Sequence, residues 1–182
     1  MTTTPHDALV KKTFSQIEHA AGLFHVVLEP AIVARVDLST LVLCDGSFVD
    51  QLLHSRHTDL LFSVNIAEQK VLIYVLFEHQ STVDALMPFR LLQYMVRIWE
   101  RHHQDHPQDK RLPPIVPVVL HHSRSGWSGS TTFEGLLAVD EATLEALGEH
   151  TVRMRFVLDD ISKVTDEAIK GLPMTALGRV VL

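Results

Sequence analysis

Two neighbouring stretches of strand-like pattern constrain this chain more than any other feature of its sequence. From Thr58 to Ile66, apolar and polar residues alternate. Leu60, Phe62, Val64 and Ile66 fall on one side, and Asp59, Ser63 and Asn65 on the other. A two-residue period of this kind is that of a half-buried strand. Residues 71–77 are continuously apolar and rich in β-branched side chains, which fits a central strand covered on both faces. That run leads straight into Glu78-His79-Gln80. The connection near residues 67–69 is so short that an antiparallel hairpin is the simplest arrangement.

The remaining pattern extends this pair into an α/β domain. Asp7 is suited to cap a helix over residues 8–28, with Leu9, Phe14, Ile17, Ala21 and Phe24 at helical spacing. Pro30 suits the start of a short helix over 31–36, and 38–44 reads as a strand broken by Asp45-Gly46. Residues 50–57 form a polar connector. Residues 87–103 predict a helix, with Phe89, Leu92, Met95, Val96 and Trp99 as its apolar face and Arg90, Gln93, Arg97 and Arg101 as its polar stripe. A buried strand follows at 115–120, ending at His121-His122. A Ser- and Gly-rich loop covers 123–132, a short helix 143–148 and a short strand 153–158. Helix, three strands, helix, strand is the order of a mixed sheet flanked by helices.

Composition narrows the function classes. A length of 182 residues with 46% apolar residues suits one domain with a real core, and 21% charged residues is unlike a disordered chain. Apolar runs are strand-length, too short to span a membrane, and residues 1–6 lack the pattern of a secretory leader. Cys44 is the only cysteine. One chain therefore holds neither a disulfide framework nor a thiolate zinc site, and a reducing cytoplasm is the expected compartment. The net charge of −6 has the wrong sign for bulk attraction to nucleic acid, so any such contact depends on a local patch. The 12 histidines would move that balance upward in mild acid.

The hairpin bears on chemistry because it decides whether two acids share a face. With a turn at Glu68-Gln69, Asp59 stands directly opposite Glu78. With a turn at Ala67-Glu68, it stands opposite Leu76, one diagonal step from Glu78. Both registers put the two carboxylates on one face, whereas a three-residue loop would separate them. The turn carries no Asn-Gly or Asp-Gly signal to choose between them. Gln80 falls on the face of Glu78 if the strand continues. Paired acids at the ends of buried strands are costly unless matched by a partner or an ion, and such oxygen ligands suit Mg²⁺. A turn residue at 59 and a solvated acid at 78 are the plainer alternative.

An acid on one strand and Glu-x-Gln closing the next resemble the PD-(D/E)XK nuclease core. The stretch Phe77-Glu78-His79-Gln80-Ser81, followed by Met87-Pro88-Phe89-Arg90-Leu91-Leu92-Gln93-Tyr94, resembles the Rpn family of recombination-promoting nucleases and transposase-like proteins. So do His6-Asp7, Asp59-Leu60-Leu61-Phe62-Ser63-Val64, Pro117-Val118-Val119-Leu120-His121-His122 and Leu158-Asp159-Asp160-Ile161, in family order. The resemblance implies an α/β restriction-endonuclease-like core over residues 1–166, with 167–182 opening a further helical region. It implies a DNA endonuclease dependent on Mg²⁺, or on Mn²⁺ or Ca²⁺, and associated with recombination, mobile elements or phage defence. Asp59 and Glu78 would be the metal-binding acids. Gln80 would stand where the wider superfamily often has lysine; glutamine can orient a water but cannot take its proton.

Further candidates lie around this expected site. Arg90 and Gln93 could contact a phosphate, while Arg97 and Arg101 read as a solvated helix face. His6 and Asp7 could bring a group from the first helix, although Asp7 is better explained as a cap. His121 ends a strand near the site, where a structural histidine is the commoner outcome. His102 and His106 have helical spacing without the glutamate of a zinc protease and read as solvated. The competing function is a non-catalytic module that keeps the nuclease fold and acts through a homodimer or a complex with a longer relative. The acidic charge and Gln80 favour that alternative.

Overall fold

The computed structural model describes residues 5–44, 58–78 and 83–181. The helix expected over 8–28 is two helices, α1 (Pro5–Phe14) and α2 (Ile17–Val27). The break is local chemistry. The Ser15 hydroxyl donates to the Lys11 carbonyl at 2.6 Å, and the Gln16 N–H turns back to the Thr13 carbonyl at 3.0 Å. Both close the last turn of α1 instead of extending it. Asp7 lies inside the first turn of α1, so the expected cap at that position is corrected. Pro30 opens a four-residue helix, α3 (Pro30–Val33), shorter than expected.

Strand β1 (Val36–Leu43) begins two residues earlier than its pattern suggested. Strand β2 (Thr58–Ile66) has the expected bounds, and β3 (Gln69–Glu78) extends the apolar run at both ends. The turn between β2 and β3 is Ala67-Glu68, with φ of 48° and 65°. Two successive left-handed residues match the twist of the strands they join. That conformation is costly for residues with a Cβ.

Helix α4 (Met87–Asp105) connects β3 to β4 (Ile115–His121), and β5 (Val157–Asp160) completes the sheet. The expected strand at 153–158 is displaced towards Asp160. The sheet order is β1-β2-β3-β4-β5. Strand β2 runs antiparallel to both of its neighbours, β1 and β3, and β3, β4 and β5 run parallel. The result is a mixed five-stranded sheet flanked by helices.

Each face of the sheet has its own core. One buries Leu60, Phe62, Val64, Ile73 and Val75 against Phe14, Leu23 and Phe24 of α1 and α2, with Phe24 edge-on to Phe62 at 5.1 Å. The other buries Leu61, Leu72, Tyr74, Leu76 and Val119 against Met87, Leu91, Tyr94, Met95 and Ile98 of α4. The buried stripe of α4 thus differs from the expected one, since Phe89 is 44% and Val96 42% exposed. Helix α4 carries apolar residues around most of its circumference, so spacing alone admits two stripes. The stripe with Leu91 and Ile98 seven apart faces the sheet. The Trp99 indole donates to the Pro113 carbonyl at 2.8 Å and ties the end of α4 to the approach to β4.

Towards the C-terminus, α5 (Glu141–Leu147) is capped by Asp140, whose carboxylate accepts the Thr143 N–H at 2.8 Å. Helices α6 (Asp166–Gly171) and α7 (Ala176–Val181) follow. Met174, between them, is buried in the core of α1 and α2. Gly22 permits this approach: a Cβ there would stand 3.3 Å from the Met174 Cα. Among the described residues no helix is long and apolar enough to cross a membrane.

Candidate active site

Strand ends assemble the candidate site. Because β2 runs against β3, the start of β2 lies beside the end of β3, and β4 and β5 finish at the same edge. Asp59 is opposite Leu76, Glu78 is in register with His121, and His121 is in register with Asp160. Leu76, Tyr74 and Val119 face α4. By two-residue alternation, positions 59, 78, 121 and 160 belong to that same face. They form a row across four strands, outside the carboxyl ends of the parallel strands, where open α/β sheets place ligands.

Asp59 is half-buried at the start of this row. The Tyr74 hydroxyl donates to its Oδ2 at 2.8 Å. Tyr74 is fully buried, and Tyr94 of α4 packs on it with ring centroids 5.5 Å apart. Burial, then the negative charge of Asp59, hold the Tyr74 hydroxyl well above its usual pKa. It therefore stays a proton donor throughout the neutral range. Arg90, also on α4, pairs with Asp84 at 2.9 Å. Its charge reaches Tyr74, where it opposes the upward shift. Asp84 in turn accepts the Leu86 N–H at 2.9 Å just before α4 begins.

At the other end of the row His121 is fully buried. Its Nε2 lies 3.0 Å from the Ser123 hydroxyl, and its ring meets Trp127 edge-on at 5.1 Å. Its Nδ1 is buried with no hydrogen-bond partner among the described residues. Asp160 accepts the Trp127 N–H at 2.8 Å and the Ser162 N–H at 3.2 Å. Burial alone would raise its pKa. The Ser162 hydroxyl, these two N–H groups and His121 outweigh that and lower it. Asp159 is in register with Leu120, on the opposite face. Burial, then the neighbouring Asp160 charge, raise its pKa.

Of the residues expected from sequence, Asp59, Glu78 and His121 are brought to one edge and one face. Arg90 sits beside Tyr74, held by Asp84. Gln93 is exposed and lines a groove with Phe89, Leu92, Val96 and Arg97 on the outer side of α4. His6 and Asp7 stand in the first turn of α1, and their side chains lie outside the described residues, as do the Glu78 side chain and all of Gln80. Among the described residues no three His, Cys, Asp or Glu side chains converge on one point. Arg97 and Arg101 are about half-exposed, as expected of a solvated face. His102 departs from its expected solvation. It is mostly buried, stacks on His106 at 4.6 Å and lies 3.3 Å from Asp109.

Sequence reasoning assigned no role to Tyr74, Asp84 or Asp160. Tyr74 is the polar-tipped residue of the apolar run and shares its parity with Glu78. That parity was the available signal. Nothing local marks Asp84 or Asp160, whose relation to the site depends on long-range pairing.

Asp59 and Glu78 are the two residues that could hold a hard divalent cation. Carboxylates at diagonal positions of an antiparallel pair have Cβ atoms about 7 Å apart, which side chains of aspartate and glutamate length can bridge through one ion.

A family model described as putative transposase, YhgA-like, matches residues 4–182. Recombination-promoting nuclease RpnD of Escherichia coli O157:H7 is 35% identical over 169 residues, 92% of this chain and 63% of RpnD. Recombination-promoting nuclease RpnC of Escherichia coli strain K12 is 35% identical over 120 residues, 65% of this chain and 39% of RpnC. The inactive recombination-promoting nuclease-like protein RpnE of the same strain is 32% identical over 168 residues, 92% of this chain and 54% of RpnE. The chain thus spans less than two thirds of the length of each of these relatives. No solved structure matches.

Proposed function

Because this chain belongs to the YhgA-like transposase family, whose relatives are named recombination-promoting nucleases, some of them inactive, we propose that it is a divalent-metal-dependent DNA endonuclease on a PD-(D/E)XK-type core. The observation that carries this reading is the β2–β3 register. Asp59 opposite Leu76 leaves position 78 one diagonal step away on the same face. Asp59 and Glu78 would hold the cation, Mg²⁺ or Mn²⁺ by the hardness of their oxygens. When bound, such an ion lowers the pKa of water and neutralises charge on a phosphate.

The chain's own residues would supply position rather than proton transfer. Gln80, two residues beyond Glu78, would orient the attacking water through its amide and cannot take up the proton. Tyr74 holds Asp59, and the Asp84 carboxylate holds the Arg90 guanidinium beside that pair. Arg90 would meet a DNA phosphate by exchanging part of its pairing with Asp84. The net charge of −6 makes this a local contact whose affinity falls steeply with salt. Cleavage in the cytoplasm, in the service of recombination, mobile-element movement or phage defence, is the role we assign to it.

RpnE, which covers 92% of this chain and is named inactive, favours a second reading. There the fold persists as a non-cutting module that pairs with a second copy or a longer relative. Nicking of supercoiled plasmid with Mg²⁺ or Mn²⁺ separates the two. The enzyme reading expects nicking by the wild type, suppressed by EDTA and by Glu78→Ala. No nicking by folded wild-type protein with either ion, or undiminished nicking by Glu78→Ala, overturns it.

A further inference from the structure

Tyr74 lies four residues before Glu78 on the same strand and the same face, and its hydroxyl donates to Asp59 Oδ2. We propose that Tyr74 is a positioning residue for metal binding. Its hydroxyl fixes the rotation of the Asp59 carboxylate so that Asp59 meets a divalent cation together with Glu78. The inference rests on the nuclease reading above and deepens it.

Three observations carry it. The hydrogen bond, 2.8 Å long, joins the two strands whose register defines the site. The phenol is fully buried, so its hydroxyl has no water to exchange for Asp59. Tyr94 of α4 packs on the ring at 5.5 Å, and Tyr74 is itself part of the core beneath that helix. The ring therefore cannot follow a carboxylate that swings. A carboxylate free to rotate must lose that freedom when it binds an ion, whereas one already held does not. Hydrogen bonds that orient a metal ligand in this way typically change metal affinity by about 10- to 100-fold.

A purely structural tyrosine would satisfy its hydroxyl on the same acid, so the test must read metal binding and not only stability. Mn²⁺ affinity is measured by calorimetry on the intact chain for wild type, Tyr74→Phe, Asp59→Asn and the double variant. The expected result is Mn²⁺ binding by wild type, weakened at least about tenfold in Tyr74→Phe. In the Asp59→Asn background, Tyr74→Phe should add nothing further, because the hydroxyl acts through that carboxylate. Unchanged affinity in folded Tyr74→Phe, or effects that simply add, overturns the inference and leaves the nuclease reading standing. Absence of Mn²⁺ binding by wild type overturns both.

A second measurement does not depend on any Tyr74 variant folding. The chain has only two tyrosines, so ring-labelled tyrosine NMR follows both during a Mg²⁺ titration. A saturable shift of the Tyr74 signals, lost in Asp59→Asn, is expected. Tyr74 signals that ignore Mg²⁺ while calorimetry shows binding count against the proposal.

Discussion

Asp59 stands opposite Leu76 across β2 and β3, not opposite Glu78. The two acids are thus diagonal neighbours, and their common face depends on the two-residue turn at Ala67-Glu68. Inserting one glycine between these residues should shift the pairing by one and turn position 59 away from position 78. Metal-dependent nicking should fall to background, or the strands should re-pair at a large loss of stability. Plasmid nicking beside a thermal melt distinguishes these outcomes. Wild-type activity and melting temperature together would show that the turn does not set the site.

Glu68 has a φ of 65°, a left-handed conformation carried by a residue with a Cβ. Glycine adopts it without that penalty, which for other residues is about 1–2 kcal/mol. Part of the gain is lost to the greater freedom of the unfolded chain. Glu68→Gly should therefore stabilise the protein by about 1 kcal/mol, or ~2–4 °C in melting temperature for a chain of this size. Differential scanning calorimetry reads it directly. A lower melting temperature would mean that the Glu68 side chain contributes more than its backbone costs.

His121 is fully buried, engages Ser123 and packs its ring edge against Trp127. Truncation to alanine removes the ring and leaves the Ser123 hydroxyl without that partner. A loss of about 2–4 kcal/mol is expected. Urea denaturation followed by tryptophan emission provides the measurement, because Trp127 borders the void. A change below about 0.5 kcal/mol would mean that the site collapses around the missing ring.

Asp159 and Asp160 should have opposite pH signatures although they are adjacent. The Asp160 pKa is lowered in the fold, so its contribution is present above its unfolded value and is lost as the pH falls through the folded one. Asp160→Asn should lower the melting temperature at pH 7, with the difference closing below the usual aspartate value of 3.8. The Asp159 pKa is raised, chiefly by burial. Its ionisation opposes folding, an effect that grows as the pH rises from the unfolded value to the folded one and is constant above. Asp159→Asn should raise the melting temperature at pH 7 and change little in acid. Melting curves of both variants between acid and neutral pH test the two signs together.

Strand β2 was legible to the residue because apolar and polar side chains alternate from Thr58 to Ile66 except at Leu61, which is buried on the face that packs against α4. Register was not legible, because Ala67 and Glu68 adopt left-handed backbone without the asparagine or glycine that normally announces it. Spacing does not separate α1 from α2, since Leu9, Phe14, Ile17, Ala21 and Phe24 keep helical periodicity across the break. The hydroxyl of Ser15 ends the first helix, and apolar periodicity does not register it. The inner stripe of α4 was misassigned for a related reason: when apolar residues surround a helix, only the partner surface selects a face. Within the site, Asp59 and Glu78 could be found from one hairpin. Asp160 needed three successive strand pairings, which no local pattern encodes.

The reversal at Ala67-Glu68 follows the far end of β2, where Ile66 is seven residues from Asp59, or roughly 25 Å along the strand. The loops nearest the row can therefore grow, shrink or acquire new contacts while the acids stay aligned. Changes in chain length therefore act differently at the two rims: beside the row they leave the β2–β3 register alone, and at the two-residue turn they shift it.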